Sequence, residues 1–70
     1  MTKHEALAQV QQDIAMAMGR LAFFAAETAA VAIEDMEGRE WTRESTQERL
    51  RQMRETEKWL YNDLAQEVAA

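Results

Sequence analysis

No Pro interrupts this chain, and its only Gly residues are Gly19 and Gly38. Pro and Gly are the residues that break helices most effectively. Between them stand mostly Ala, Glu, Gln, Arg, Leu and Met, which are strong helix formers. No stretch alternates apolar and polar residues as a half-buried strand would. The one natural stop is Gly38, inside "IEDMEGREWTRE" at 33–44, because Gly tolerates the left-handed conformation that ends helices. The pattern therefore predicts an all-α fold, an antiparallel two-helix hairpin in one domain covering 1–70. The first helix is expected over about 3–37, the turn over 38–45 and the second helix over about 46–68.

Apolar periodicity supports this division. In the first helix Leu7, Val10, Ile14, Met18 (with Ala17), Leu21, Phe24, Thr28 and Val31 recur at steps of three and four, forming one seam. In the second, Leu50, Met53, Glu57, Leu60 (with Tyr61), Leu64 and Val68 do the same. Two capping boxes are readable, Thr2 with Glu5 and Ser45 with Glu48, each a hydroxyl followed three residues later by a carboxylate. A short linker makes antiparallel neighbours.

A chain of 70 residues buries little surface. Small scaffolds need disulfides, a metal or an oligomer. There is no Cys and only one His, His4, so disulfides and a single-chain zinc site are excluded. Oligomerisation is left. The first helix is apolar on more than one side: between Ile14 and Ala26 the only charge is Arg20, and Ala8, Ala15, Ala22 and Ala29 recur every seven residues. At 1.5 Å per residue, the expected helices are about 50 and about 35 Å long, leaving Leu7 and Val10 uncovered by the second. A homodimer in a four-helix arrangement would cover both, with Phe23 facing the dimer core.

Several single residues invite a functional reading beside a structural one. Glu57 lies on an apolar seam near the expected level of Arg20, which suggests an ion pair that fixes register; the alternative is a site acid. Trp59 has polar neighbours on its helix and is expected to be part-exposed, either covering an edge or anchoring a partner, since Trp is enriched at binding hot spots. Trp41 either closes the open end of the hairpin or touches a partner. The acidic group Glu34, Asp35, Glu37 and Glu40 lacks the spacing of an EF-hand loop. No Ser/His/Asp or Cys/His set is available for nucleophilic catalysis, so no enzyme, metal or cofactor is expected.

Charge narrows the partner class. Thirteen acidic residues against eight Lys and Arg give a net charge of −5. That argues against a phosphate-binding role and suits a basic protein surface. The basic residues of the second half, Arg39, Arg43, Arg49, Arg51, Arg54 and Lys58, are interleaved with Glu44, Glu48, Glu55 and Glu57, as on a solvated face. Arg20 and Glu27 interrupt the apolar run 14–33, so a membrane span is not expected. The expected compartment is the cytoplasm, that of a bacterial host if the chain is phage-encoded.

Two resemblances follow from the residues. The opening "MTKHEALAQV" and the hairpin resemble the Rop family of plasmid RNA-binding regulators, which form antiparallel four-helix dimers; that likeness implies RNA binding. The long Ala-rich helix, the "EDMEGREW" turn and the "KWLYNDLA" ending are similar in size and layout to the small anti-quorum-sensing (anti-activator) proteins of temperate phages. That resemblance implies a helical homodimer that inhibits a LuxR-type transcription activator and also binds a pilus-assembly ATPase. On exposure and chemistry, the residues expected to meet a protein partner are Trp41, Trp59, Arg39, Arg43, Arg51, Glu37 and Glu40. The phage-inhibitor reading leads, and the Rop-like regulator is its alternative.

Overall fold

A computed structural model describes residues 1–69. The element order is α1 (Lys3–Ala26), β1 (Ile33–Glu34), β2 (Glu40–Trp41) and α2 (Arg43–Ala69). The two helices, of 24 and 27 residues, pack against each other as an antiparallel hairpin. Lys3 at the start of α1 pairs with Asp63, at 2.7 Å, and with Glu67 near the end of α2. The molecule measures 51 × 21 × 15 Å, one helix pair thick. None of the helices among the described residues is long and apolar enough to cross a membrane.

The first cap forms at the expected place. Thr2 Oγ1 accepts from the Glu5 backbone N–H at 3.1 Å, and the Thr2 hydroxyl donates to the Glu5 carboxylate. The second cap lies three residues earlier than the Ser45–Glu48 pattern suggests. Thr42 precedes α2, its Oγ1 accepts from the Ser45 N–H, and Ser45 Oγ accepts from the Thr42 N–H. This is a capping box with Ser where Glu or Gln usually stands.

α1 ends at Ala26, not near residue 37. A helix running to 37 would carry Glu34, Asp35 and Glu37 at its negative end, where the helix dipole opposes anions. Instead 27–32 leave the axis, and residues 33–41 fold back as a two-stranded antiparallel ribbon, with Ile33 opposite Trp41 and Glu34 opposite Glu40. Val31, expected on the seam, lies outside the helix and is exposed. The cation that suits a helix C-terminus comes from α2: the Arg43 guanidinium donates to the Phe24 carbonyl at 2.8 Å.

The early stop resets the pairing. α2 now runs the whole length of α1, so Leu7 and Val10 are half-buried in the hairpin itself. The length mismatch that seemed to require a second hairpin does not exist. The core consists of Ala17, Leu50 and Met53, with Val10, Ile14 and Leu21 packed on it, and of Phe24, Leu60, Trp41 and Thr46. Glu57 and Leu64 continue the α2 seam half-buried, whereas Val68, expected on it, is exposed beyond the start of α1. Met18 takes the rim, half-exposed, while Ala17 takes the seam position. The expected Arg20–Glu57 pair is absent among the described residues, because Arg20 reaches Trp41 instead.

A candidate protein-interaction surface

The turn is organised by one carboxylate. Asp35 Oδ1 accepts from the backbone N–H groups of Glu37 and Arg39, each at 2.9 Å. Its Oδ2 accepts from Trp41 Nε1, also at 2.9 Å. Asp turn residues commonly bond to nearby backbone N–H groups in this way. The Asp35 N–H donates to the Arg39 carbonyl, and the Gly38 N–H donates to the Asp35 carbonyl. Gly38 supplies the bend with φ +82°, a left-handed value that other residues adopt at a cost. The Trp41 indole and then the Arg39 N–H hold the Asp35 carboxyl below its ordinary range, against an opposing effect of burial. The Glu37 N–H and the positive charge of Arg20 act in the same direction as the indole.

Trp41 is thereby held against the hairpin, 9% exposed. The Arg20 guanidinium lies 4.5 Å from its ring centroid and that of Arg39 lies 5.8 Å away, both within cation–π range. Of the two readings of Trp41, closing the hairpin end is the one its position matches. Arg43 is also occupied, on the Phe24 carbonyl. Arg51 pairs with Glu48 and, at 3.1 Å, with Glu55 on the solvated side of α2. These pairs lower the Glu48 carboxyl and raise the Arg51 guanidinium. Glu37 and Glu40 are exposed in the ribbon, and Arg39 is exposed at its edge. Trp59 stands on the outer face of α2, 62% exposed. The residues expected to bind a partner are thus dispersed: Trp59 and the ribbon lie on different parts of the surface, and Trp41 and Arg43 have structural positions.

The second apolar face expected on the first helix is the back of α1. Met16 (53%), Met18 (50%) and Phe23 (43%) are all open to solvent there. Ala15, Gly19, Ala22, Ala25 and Ala26 are exposed between and beside them. From Ala15 to Ala26 the one charged residue, Arg20, turns away toward Trp41. The lack of charge between Ile14 and Ala26, Arg20 apart, already marks α1 as apolar on more than one side, and Phe23, expected to face a dimer core, is on the side that α2 leaves open. Met16, Gly19 and Phe23 also form one wall of a groove of about 1020 Å³, with Ile33 and Met36 of the ribbon region on the other side. Met36 is fully exposed. No three His, Asp or Glu side chains among the described residues converge in a group that could hold a metal ion.

No protein-family model matches this chain, and no curated protein or solved structure matches it either.

Proposed function

We propose that this chain is a non-enzymatic protein-interaction module that works as a homodimer and inhibits a host protein. By its resemblance to the phage anti-activator proteins, the target is a quorum-sensing activator of the LuxR type, with a pilus-assembly ATPase as a second partner. The observation that carries the interaction reading is the uncharged back face of α1, where Met16, Met18 and Phe23 are about half-exposed. A contiguous apolar surface on so small a chain marks a site of association. Trp59 supplies a separate aromatic anchor on α2, and the acidic ribbon residues Glu37 and Glu40 suit a basic surface such as one that grips DNA.

The Rop-like alternative has less to stand on. Both basic residues of α1 are engaged within the chain, Lys3 by Asp63 and Glu67 and Arg20 by Trp41. The test uses a purified LuxR-type activator and its operator DNA in a gel-shift titration. The expected result is loss of the activator–DNA complex on adding this protein, with Trp59→Ala at least ~10-fold weaker, as for a hot-spot residue. An activator that stays on its DNA at micromolar concentrations of the protein would sink the inhibitor reading. Salt-sensitive binding of a structured RNA in the same assay would favour the alternative.

A further inference from the structure

From the way α1 ends we infer that the closed end of the hairpin is a two-state device. Residues 27–33 either fold back, as in this structure, or continue α1 by about two turns, and only the first state keeps Trp41 covered. Local and tertiary preferences conflict here. Ala29, Ala30 and Ala32 make this stretch a strong helix former, and no Gly or Pro stands between Arg20 and Gly38. A local preference that the fold overrules marks a segment with a second low-lying state.

The folded-back state gains little from the segment itself. No side chain from Glu27 to Glu40 is fully buried, and Val31 and Met36 stand in solvent. Among the described residues, the N–H groups of Thr28, Ala29 and Val31 donate to nothing within the chain. That of Ala30 closes a turn onto the Glu27 carbonyl at 3.0 Å. In a continued helix each would donate four residues back, the Thr28 N–H to the Phe24 carbonyl. The Arg43 guanidinium occupies that carbonyl instead, at 2.8 Å.

Two holds from outside the segment therefore keep it out of the helix. Arg43 is the first. The second is the Asp35 carboxylate on the Trp41 indole, at 2.9 Å, with the Arg20 guanidinium on the ring. Length makes the two states exclusive. Trp41 lies against Arg20, with Ile33 paired opposite it. A helix continued to Ile33 would end about 20 Å beyond Arg20, too far for that pairing. Residues 34–42, at up to ~3.5 Å each, still reach back to Arg43. An end near Ile33 also keeps the acidic residues 34–37 outside the helix. Covered, Trp41 closes the hairpin; uncovered, its ring and Arg20 stand open beside the ribbon acids. A partner that takes the open ring draws the chain toward the longer helix. That use of the second state rests on the protein-interaction reading; the switch itself does not.

Three measurements on the full chain read the two states: carbon chemical shifts of 27–33, circular dichroism at 222 nm, and Trp41 fluorescence in a Trp59→Phe background. Asp35→Ala with Arg43→Met removes both holds. The expected result is helical shifts across 27–33, an ellipticity gain of about two helical turns and a red-shifted Trp41. Thr28→Ala with Val31→Ala works from the other side. Both side chains are exposed and belong to neither hold, and the gain in helix propensity should raise the extended population by up to ~10-fold. Thr28→Pro is the lock, because Pro cannot sit inside the continued helix. Thr28 is the second residue of the turn closed at Ala30, where Pro is favoured, and Glu27 before it is already outside the helical region at φ −109°, ψ 78°. Alone, Thr28→Pro should leave the wild-type spectra unchanged; added to Asp35→Ala with Arg43→Met, it should cancel the helical gain. Release of Trp41 without helix at 27–33 would overturn the switch, since the end then only frays. Non-helical shifts at 27–33 in both pairs would overturn it as well, even where the first pair unfolds the chain. So would a helical gain that survives Thr28→Pro. None of these readouts involves a partner, so their failure leaves the inhibitor reading standing, and a failed gel shift leaves the switch standing.

Discussion

Asp35 carries more of the turn than any other residue. One carboxylate satisfies two backbone N–H groups and the indole N–H of Trp41. Asp35→Asn keeps the size but replaces one acceptor oxygen by a donor, so at least one of these bonds is lost. The expected outcome is a lower melting temperature and a red-shifted, more solvent-exposed Trp41 fluorescence, read in a Trp59→Phe background. Because the folded-state pKa of Asp35 is depressed, its contribution is present above the unfolded carboxylate range and is lost as pH falls through the lower folded value. Thermal melts on the acid side should therefore show a wild-type stability loss that Asp35→Asn largely lacks. Trp41→Ala removes a buried indole and should cost about 3 kcal/mol in urea unfolding. Gly38→Ala forces a Cβ into the left-handed region at φ +82° and should cost about 1 kcal/mol, although the space around that Cβ is open enough.

At the level of elements, the ribbon and the helix ends exchange support. Arg43, in the first turn of α2, donates to the last-turn carbonyl of Phe24 in α1. The contact is not local to either helix, so no capping pattern in the sequence announces it. Arg43→Met keeps the aliphatic stem and removes the donor. It should cost about 1 kcal/mol and speed amide hydrogen exchange selectively in the last turn of α1. Exchange that is unchanged there, or raised equally throughout, would remove Arg43 from this role. The helices themselves were legible: the Thr2–Glu5 cap, the seam of Val10, Ile14 and Leu21, and the seam of Leu50, Met53 and Leu60 all lie where the periodicity puts them. Residues 27–37 were not, because Ala, Glu and Met favour helix locally whatever the rest of the chain does.

For the whole molecule, the hairpin is closed at one end by Trp41 and at the other by Lys3. The Lys3 amine is pushed up to about 12, first by its bond to Asp63 and then by that to Glu67. A raised folded-state pKa contributes stability that is complete below the ordinary value of 10.5 and is lost as pH rises through about 12. Lys3→Met should therefore remove the alkaline part of the wild-type stability profile above pH 10.5. Lys3 and Glu67 are exposed and Asp63 is half-buried, so added salt should shrink the difference between the two proteins. For the proposed homodimer, melting temperature should also rise with protein concentration, because association stabilises only the folded chain.

What the sequence determined alone is the helical hairpin: no Pro, a single well-placed Gly at 38, and two apolar seams leave one economical way to hide apolar surface. Tertiary structure decided where α1 stops, and with it the register. The local preferences of 27–37 favour helix, so contacts from outside the segment have to override them: the Asp35–Trp41 bond, the Arg20 stack and the Arg43 cap. That shift moved Arg20 off Glu57, brought Leu7 and Val10 under α2, and turned a seemingly all-round apolar helix into one with a covered front and an open back. Periodicity gives the faces of a helix; only the packed chain says which face still lacks a partner.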